Sequence, residues 1–316
     1  MSTQNIVVTG GSGNVGRYLV KELMKFNYKV TIFDMKEPQE EYANFFKGTN
    51  YCKGSILKID DCKRSFKGAN IVIHLAAIPN PINNLPELVF NINVLGTYNV
   101  FQAACDSGIT KVIFASSDAS YGFHFRNSFD DILLPEYLPI DEDHPQKPKD
   151  CYGLSKKISE EIASAFNRKY GITTIGLRIS HVRIPEKSGM LGIEAYQKNI
   201  KEKGVMIPPF IYNESGNVFN GQIFSYNDVR DVSQAFRLAT QVKGLEGKNE
   251  IFCIGNIDDI PTKFETKEII KKWHFDKTPL KRKLKKREPL CDFSKANRIL
   301  GYRSKYNWWE MYGSKI

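Results

Sequence analysis

The sequence predicts an α/β protein: a doubly wound parallel sheet with a smaller C-terminal lobe. Two observations carry this expectation. Apolar strand-like runs alternate with helical patterns through most of the chain, and the first of them, Val7-Val8-Thr9, runs into the glycine-rich turn Gly10-Gly11-Ser12-Gly13-Asn14-Val15-Gly16. Strands buried on both faces read as continuous apolar runs, and their alternation with helices implies parallel crossovers.

The elements follow in order. Strands are expected at Ile6–Thr9, Lys29–Asp34, Tyr51–Lys53, Ile71–Leu75, Val112–Ser116, Thr173–Arg178 and Glu250–Ile254. Val15, Leu19 and Leu23 recur at four-residue spacing, and Val94–Cys105 and Lys156–Lys169 also read as helices. The alternation breaks at Gly122–Lys149, rich in Pro, Asp and aromatics, which reads as a long functional loop. It breaks again from about Ser180 to Gln222 and from about Gly255 onward. Those stretches are expected to form the lobe over the carboxyl edge of the sheet, where ligands bind in such folds.

The chain has 316 residues and 41% apolar content, enough for one large α/β domain with an appended lobe. The net charge is +10, yet the run Lys277–Pro289 alone holds seven Lys/Arg against one Glu. The excess is therefore local, and with no aromatic or glycine pattern of an RNA module beside it, nucleic-acid binding is not expected. The six cysteines form no CxxC pair and no histidine cluster accompanies them, so neither a metal nor a disulfide framework is expected. The opening residues enter a strand at once, without a charged leader, and no apolar run approaches a membrane span. The expectation is a soluble cytoplasmic protein with no membrane partner.

The glycine turn implies a dinucleotide held on the N-terminus of the first helix. Gly10 permits the sharp turn, Gly13 removes a side chain from the path of the pyrophosphate, and Gly16 lets helix and sheet approach. Asp34 ends the second strand, eighteen residues past Gly16. It would accept hydrogen bonds from both ribose hydroxyls and repel a 2′-phosphate, which favours NAD over NADP.

Tyr152 and Lys156 stand four apart at the start of a helix, on one face. A phenol with an ordinary pKa of ~10 needs a neighbouring cation to serve as a base at neutral pH. Lys156 and an oxidised nicotinamide could share that task. Ser116 and Ser117 end a strand at its carboxyl edge, where a hydroxyl can reach the substrate oxygen that Tyr152 deprotonates.

With these residues in place, the chain resembles the extended short-chain dehydrogenases/reductases of the NAD-dependent epimerase/dehydratase family. The matching segments are TGGSGNVG, IVIHLAA, NVLGTYNVFQAA, FASSDASYG, YGLSK, the LR at 177–178, YNDVRDV and FSKANRILGY, in the family's order. The resemblance implies a Rossmann-type NAD-binding domain over 1–179, with 223–254 returning to it. It assigns 180–222 and 255–316 to a substrate-binding lobe. It implies that Ser117 orients the substrate, Tyr152 is the acid/base and Lys156 lowers its pKa. Asn14 and Val15 would contact the pyrophosphate, and Ser55 and Ile56 the adenine, although the family usually has Asp where Ser55 stands. Leu75, Ala76, Ala77, Ser116 and Ile179 would line the cofactor, and Asn93 would support the catalytic helix. A homodimer through a helix pair is also implied.

The departures bear on substrate. Asp118-Ala119 stands where dehydratases have Asp-Glu, and His181 stands where UDP-sugar epimerases have Asn. The family's nucleotide-binding Arg has no counterpart. Asp118, His181, Arg183 and the loop 78–84 are expected to face the pocket. The implied activity is NAD-dependent oxidation of a sugar-like hydroxyl, with a nucleotide-sugar epimerase and a non-catalytic NAD-binding regulator as alternatives.

Overall fold

The computed structural model describes residues 4–82, 84–125, 133–185, 202, 224–260, 262, 264–272 and 274–307. The chain runs β1 (Asn5–Thr9), α1 (Asn14–Lys25), β2 (Lys29–Asp34), α2 (Ala43–Phe46), β3 (Asn50–Lys53), α3 (Ile59–Phe66) and β4 (Ile71–His74). Then come α4 (Pro86–Phe90), a π-helical segment Asn91–Leu95, α5 (Gly96–Asp106), β5 (Lys111–Ser117), a 3-10 turn Asp118–Tyr121 and α6 (Cys151–Tyr170). They are followed by β6 (Thr173–Ile179), β7 (His181–Arg183), β8 (Tyr226–Asp228), α7 (Val229–Gln241), β9 (Asn249–Ile254), α8 (Thr266–Lys272) and α9 (Ser294–Leu300).

Seven strands form one parallel sheet in the order β3-β2-β1-β4-β5-β6-β9. The order reverses direction at β1 and β4, so a crevice opens above their carboxyl ends. Alternate residues of each strand serve opposite faces. Ile6, Val8, Ile32, Ile73 and Ile175 pack beneath α1 and α7, with Leu19, Leu23 and Phe236. Val7, Phe33, Val72, Val112 and Phe114 face the other layer, with Phe66 of α3, Phe101 of α5 and Phe166 of α6. All seven strands lie where the apolar runs place them. The helix read at Val94–Cys105 is longer: Pro86 opens α4, where a missing N–H is harmless, and the π-helical segment joins α4 to α5.

A third apolar cluster lies outside the sheet. It joins Tyr121, Phe123, Leu138 and Ile140 of the long loop to Ile260, Ile269, Phe275, Leu290 and Phe293. Isolated parallel bridges, Leu138 to Leu280 and Ile140 to Cys291, fix the same contact. The loop thus packs with the C-terminal part of the chain. A two-stranded pair, β7 with β8, leads from the main sheet toward this layer. Of the Ser180–Gln222 stretch, residues 186–201 and 203–222 lie outside the described residues. The basic run 277–289 is largely matched by acids: Lys281 pairs with Asp141, Arg282 with Glu288 and Asp292, Lys286 with Glu265, and Arg287 with Asp259.

One buried ion pair links most of these layers. Arg178 of β6 donates from Nε to Oε1 of Glu160 at 2.9 Å and from Nη2 to Oε2 at 2.7 Å. Its Nη1 donates to the Tyr121 hydroxyl and to the Glu142 carbonyl. Glu160 also accepts from Ser116 Oγ at 2.6 Å and from Gln146 Nε2 at 3.0 Å. Removing one partner of such a pair strands a desolvated charge. Glu160→Ala is therefore expected to lower folding stability by about 3–5 kcal/mol, while Glu160→Leu with Arg178→Met costs less than the two single changes together. Urea unfolding of Glu160→Ala, of Glu160→Leu and Arg178→Met singly, and of their double variant measures this.

Candidate functional site

The carboxyl ends of β1, β4 and β5 bring the candidate residues to one edge. Gly10 has φ +71°, and a Cβ there would sit 2.7 Å from the Ala76 amide nitrogen. A Cβ on Gly16 would collide with the Gly10 carbonyl. Both positions are closed to any other residue. Gly13 differs. Its φ of −74° suits any residue, and apart from the Gly10 carbonyl at 3.1 Å its Cβ would have no close neighbour. What the missing side chain leaves there is space above the N-terminus of α1, where Asn14 and Val15 begin the helix. The first N–H groups of a helix have no partner within it and suit an anion.

Asp34 flanks this turn. Its Oδ2 accepts from the Ser12 amide at 3.1 Å and its Oδ1 from the Lys36 amide at 3.2 Å. Ser55 follows β3: its hydroxyl accepts from the Leu57 amide, and its own amide donates to Asp61 at 3.0 Å. Ile56 is buried beneath α5, its side chain close against Gly96. Leu75 and Ala76 are held against β1, their amides donating to the carbonyl and hydroxyl of Thr9. Ala77 continues that segment and keeps part of its surface exposed. The spaces at Gly13, the bound carboxylate of Asp34 and the helix N-terminus together fit a dinucleotide.

Asn93 sits in the π-helical segment. Its side chain accepts from the Ile78 amide at 2.8 Å and donates to the Ile78 carbonyl and to Ser155 Oγ. It ties the 78–84 loop to α6, the helix that carries Tyr152 and Lys156. Asp150 caps that helix, accepting from the Gly153 amide at 2.8 Å. Ser116 and Ser117 point to opposite faces of β5. Ser116 donates to Glu160, so its hydroxyl serves the buried ion pair. Ser117 accepts from the Ala119 amide at 3.1 Å and donates to Asp118 Oδ1 at 3.3 Å. Ile179 ends β6, nearly buried.

Ser117 lies near enough to Tyr152 for its hydroxyl to act on the phenol, so the two candidate hydroxyls share one place. Burial pushes the phenol well above its ordinary value, with Asp118 and Asp150 adding to the rise and Ser117 opposing it. The expected lowering by Lys156 is thus absent from the bare site. Lys156 Nζ instead donates to the Ala115 carbonyl at 2.9 Å and lies 5.6 Å from the Tyr152 ring centre. Burial lowers its pKa to about 8.

Asp118 lies beside His124 at 3.3 Å, and Phe125 meets the Tyr152 ring edge-on. His124 and Phe125 carried no spacing signal and were not foreseen. His181 faces Asp118 and His124, and burial drives its pKa down to about 4. Arg183, expected in the pocket, is 0% exposed, and its Nη2 donates to Asp228 at 2.6 Å. Among the described residues no cluster of His, Cys, Asp and Glu could hold a metal ion, and no helix is long and apolar enough to cross a membrane.

Two histidines held neutral by desolvation set an acid limit. His74, between the hydroxyls of Thr9 and Thr97, is lowered to about 3 by burial, and His181 to about 4. Below pH 6.5 the unfolded chain takes protons that these folded rings refuse, so their share of stability falls as pH drops from about 6.5 to about 4. Asp231, raised to about 6 by burial, acts with the opposite sign. The difference between wild type and His181→Asn isolates one ring. Denaturation midpoints should converge as pH falls through that window; a constant gap would show that His181 is not held neutral.

A family model described as the NAD dependent epimerase/dehydratase family matches residues 6–255. A Methanocaldococcus jannaschii protein named "Putative UDP-glucose 4-epimerase" is 34% identical over 258 residues, covering 79% of this chain and 76% of that one. An L-arabinose 1-dehydrogenase (NAD(P)(+)) of Haloferax volcanii is 32% identical over 179 residues, covering 55% of this chain and 65% of the relative. Among solved structures, a UDP-glucose 4-epimerase of Thermotoga maritima, crystallised with UDP-glucose, superposes with a TM-score of 0.66 at 26% identity. That match covers 96% of this chain and 94% of the other.

Proposed function

Since the chain belongs to the NAD-dependent epimerase/dehydratase family and takes NAD as its cofactor, we propose that it oxidises a hydroxyl of a sugar or sugar derivative, with Tyr152 as the acid/base. The observation that carries this is the meeting of Ser117 and Tyr152 at the carboxyl end of β5, beside a turn that only glycines can make. Simple cofactor binding requires neither hydroxyl.

We assign the roles as follows. Asn14 and Val15 receive the pyrophosphate in the space that Gly13 leaves, with Gly10 and Gly16 shaping the turn. Asp34 receives the adenosine ribose, Ser55 and Ile56 the adenine, and the 75–77 segment with Ile179 lines the pocket. When bound, NAD accepts the carbon-bound hydride. Ser117 holds the substrate oxygen, and Tyr152 takes its proton. The bare site keeps Tyr152 protonated, so the phenolate depends on positive charge arriving beside it; Lys156 contributes part of that charge below its pKa of about 8. Asp118 and His181 face the sugar. The segments 180–222 and 255–316 are assigned to the substrate lobe.

The test is a panel of aldoses, uronates and nucleotide sugars, read by NADH absorbance and by product isomerisation. Net NADH formation on a free sugar supports the dehydrogenase reading. Isomerised nucleotide sugar with retained NAD supports a UDP-hexose epimerase instead, as the relatives' names favour. Calorimetry with UDP, dTDP and GDP adds a direct check, since His181 replaces the family's Asn; micromolar binding of any one moves the assignment to the epimerase. On the substrate so identified, Tyr152→Phe should lose about 10²–10⁴-fold in turnover while NAD binding is kept. Wild-type turnover in that variant would remove Tyr152 from the acid/base role.

The same reading makes the protein a homodimer. Phe90, Leu95 and Tyr98 of the α4–α5 stretch are 40–47% exposed and line one apolar groove with Ile158 and Ile162 of α6. A second copy presenting the same face would cover them. Light scattering of the wild type should give twice the chain mass, and Leu95→Glu with Tyr98→Glu the mass of a monomer. A monomeric wild type overturns the assignment.

A further inference from the structure

His74, from the segment IVIHLAA, ends β4 and is buried between two hydroxyls. Its Nδ1 lies 2.7 Å from Thr9 Oγ1 and its Nε2 lies 3.0 Å from Thr97 Oγ1. Thr9, Thr97, Asn93 and Ser155 are buried as well. An imidazole bonded on both sides takes the tautomer that its neighbours dictate.

Here the neighbours allow one tautomer. Thr97 has a single hydroxyl hydrogen, and its Oγ1 lies 2.5 Å from the Asn93 carbonyl, which can only accept. That hydrogen therefore points to Asn93, and Thr97 accepts from His74 Nε2–H. Burial keeps the ring neutral, so Nδ1 is bare and accepts from Thr9. Thr9 Oγ1 in turn accepts from the Ala76 amide at 3.3 Å. Asn93 carries the chain onward. Its Oδ1 accepts from the Ile78 amide and its Nδ2 donates to the Ile78 carbonyl, which fixes the orientation of the amide. The other Nδ2 hydrogen goes to Ser155 Oγ at 3.1 Å, and Ser155 donates to the Tyr152 carbonyl at 2.7 Å. Each hydroxyl along this path has one hydrogen, and each is committed. One end, Ala76, lies against Gly10 of the glycine turn. The middle runs through the π-helical segment Asn91–Leu95, an irregularity frequent at functional sites.

We propose that His74 is a positioning residue for the oxidation: as the Nε2–H tautomer it locks the cofactor-lining segment to Asn93 and, through Asn93 and Ser155, to the first turn of the helix that carries Tyr152. This rests on the reading of Tyr152 as the acid/base. A helix start free to shift against the cofactor by about 1 Å would misplace the phenol at the reacting carbon.

Nitrogen-15 NMR of the imidazole rings, NAD titration and steady-state kinetics on the substrate found with the panel test it. His74 of the wild type should show a bare Nδ1 and a protonated Nε2. His74→Phe keeps a ring and removes both bonds, and Thr97→Val keeps the shape and removes the link to Asn93. Each should lower kcat about tenfold or more, with KM and NAD affinity within about threefold. The double variant should fall no more than about twofold below the worse single. His74→Gln, whose amide can still donate to Thr97, should recover part of the loss. Should His74→Phe not fold, Thr97→Val decides by the same kcat and affinity criteria. The reversed tautomer overturns the inference. So does wild-type kcat in these variants while Tyr152→Phe is inactive, and the reaction assignment then stands. Losses that multiply in the double variant, or that fall equally on NAD affinity and kcat, would mean separate or general structural damage and overturn it as well. If Tyr152→Phe itself keeps wild-type turnover, the reading of the reaction fails and this role with it.

Discussion

The pair Arg178–Glu160 holds elements of several layers together in one place. Glu160 belongs to α6, Arg178 to β6, Ser116 to β5, and Tyr121 and Gln146 to the two ends of the long loop. Tyr121 extends the network to Cys253 of β9, and Glu142 accepts from the Cys253 amide at 2.7 Å. Every carboxylate oxygen and nearly every guanidinium hydrogen described here has a partner, which is the condition under which a buried ion pair fixes geometry instead of weakening the core. Ser117 and Tyr152 stand one residue and two helical turns from its members. Their meeting depends on β5 and α6 keeping the separation this pair sets.

The site is built on the ends of regular elements. The cofactor edge comes from strand ends and a helix start. Asn93 fastens α6 to the loop after β4, and Asp150 caps the same helix. The polar group around Tyr152, made of Asp118, His124, Asp150 and His181, is less uniform. Two carboxylates raise the phenol, while burial keeps His181 neutral. On the proposed reading, the phenol keeps its proton until positive charge is bound beside it.

The main sheet was legible because parallel strands buried on both sides leave long apolar runs, as in Thr173–Ile179, where every residue is buried. The glycine turn, Tyr152 and Lys156 were legible because spacing alone puts them on one edge or one face. The rest was not. β7 and β8 are three residues each, half polar, and pair across 45 positions. Arg183 looks like a pocket cation until its acid, Asp228, is brought to it by that pairing. His124 is a lone ring in a loop. Arg178 and Glu160 are single charges in otherwise ordinary elements, and only the fold shows that they meet. The rise of the Tyr152 pKa in the bare site was not legible, because sequence shows the nearby lysine but not the desolvation.

The position of β9 in the sheet has a consequence for how the chain is made. Thr174 of β6 bonds Asn249 of β9, 75 residues later. A chain emerging from its N-terminus can assemble six strands and still present the outer edge of β6 bare, apolar on both faces, while the whole intervening excursion is synthesised. An uncovered strand of that kind pairs readily with other chains. The nascent protein is therefore most exposed to aggregation after β6 emerges and before β9 does, and a truncation ending in that interval should be the form most dependent on chaperones.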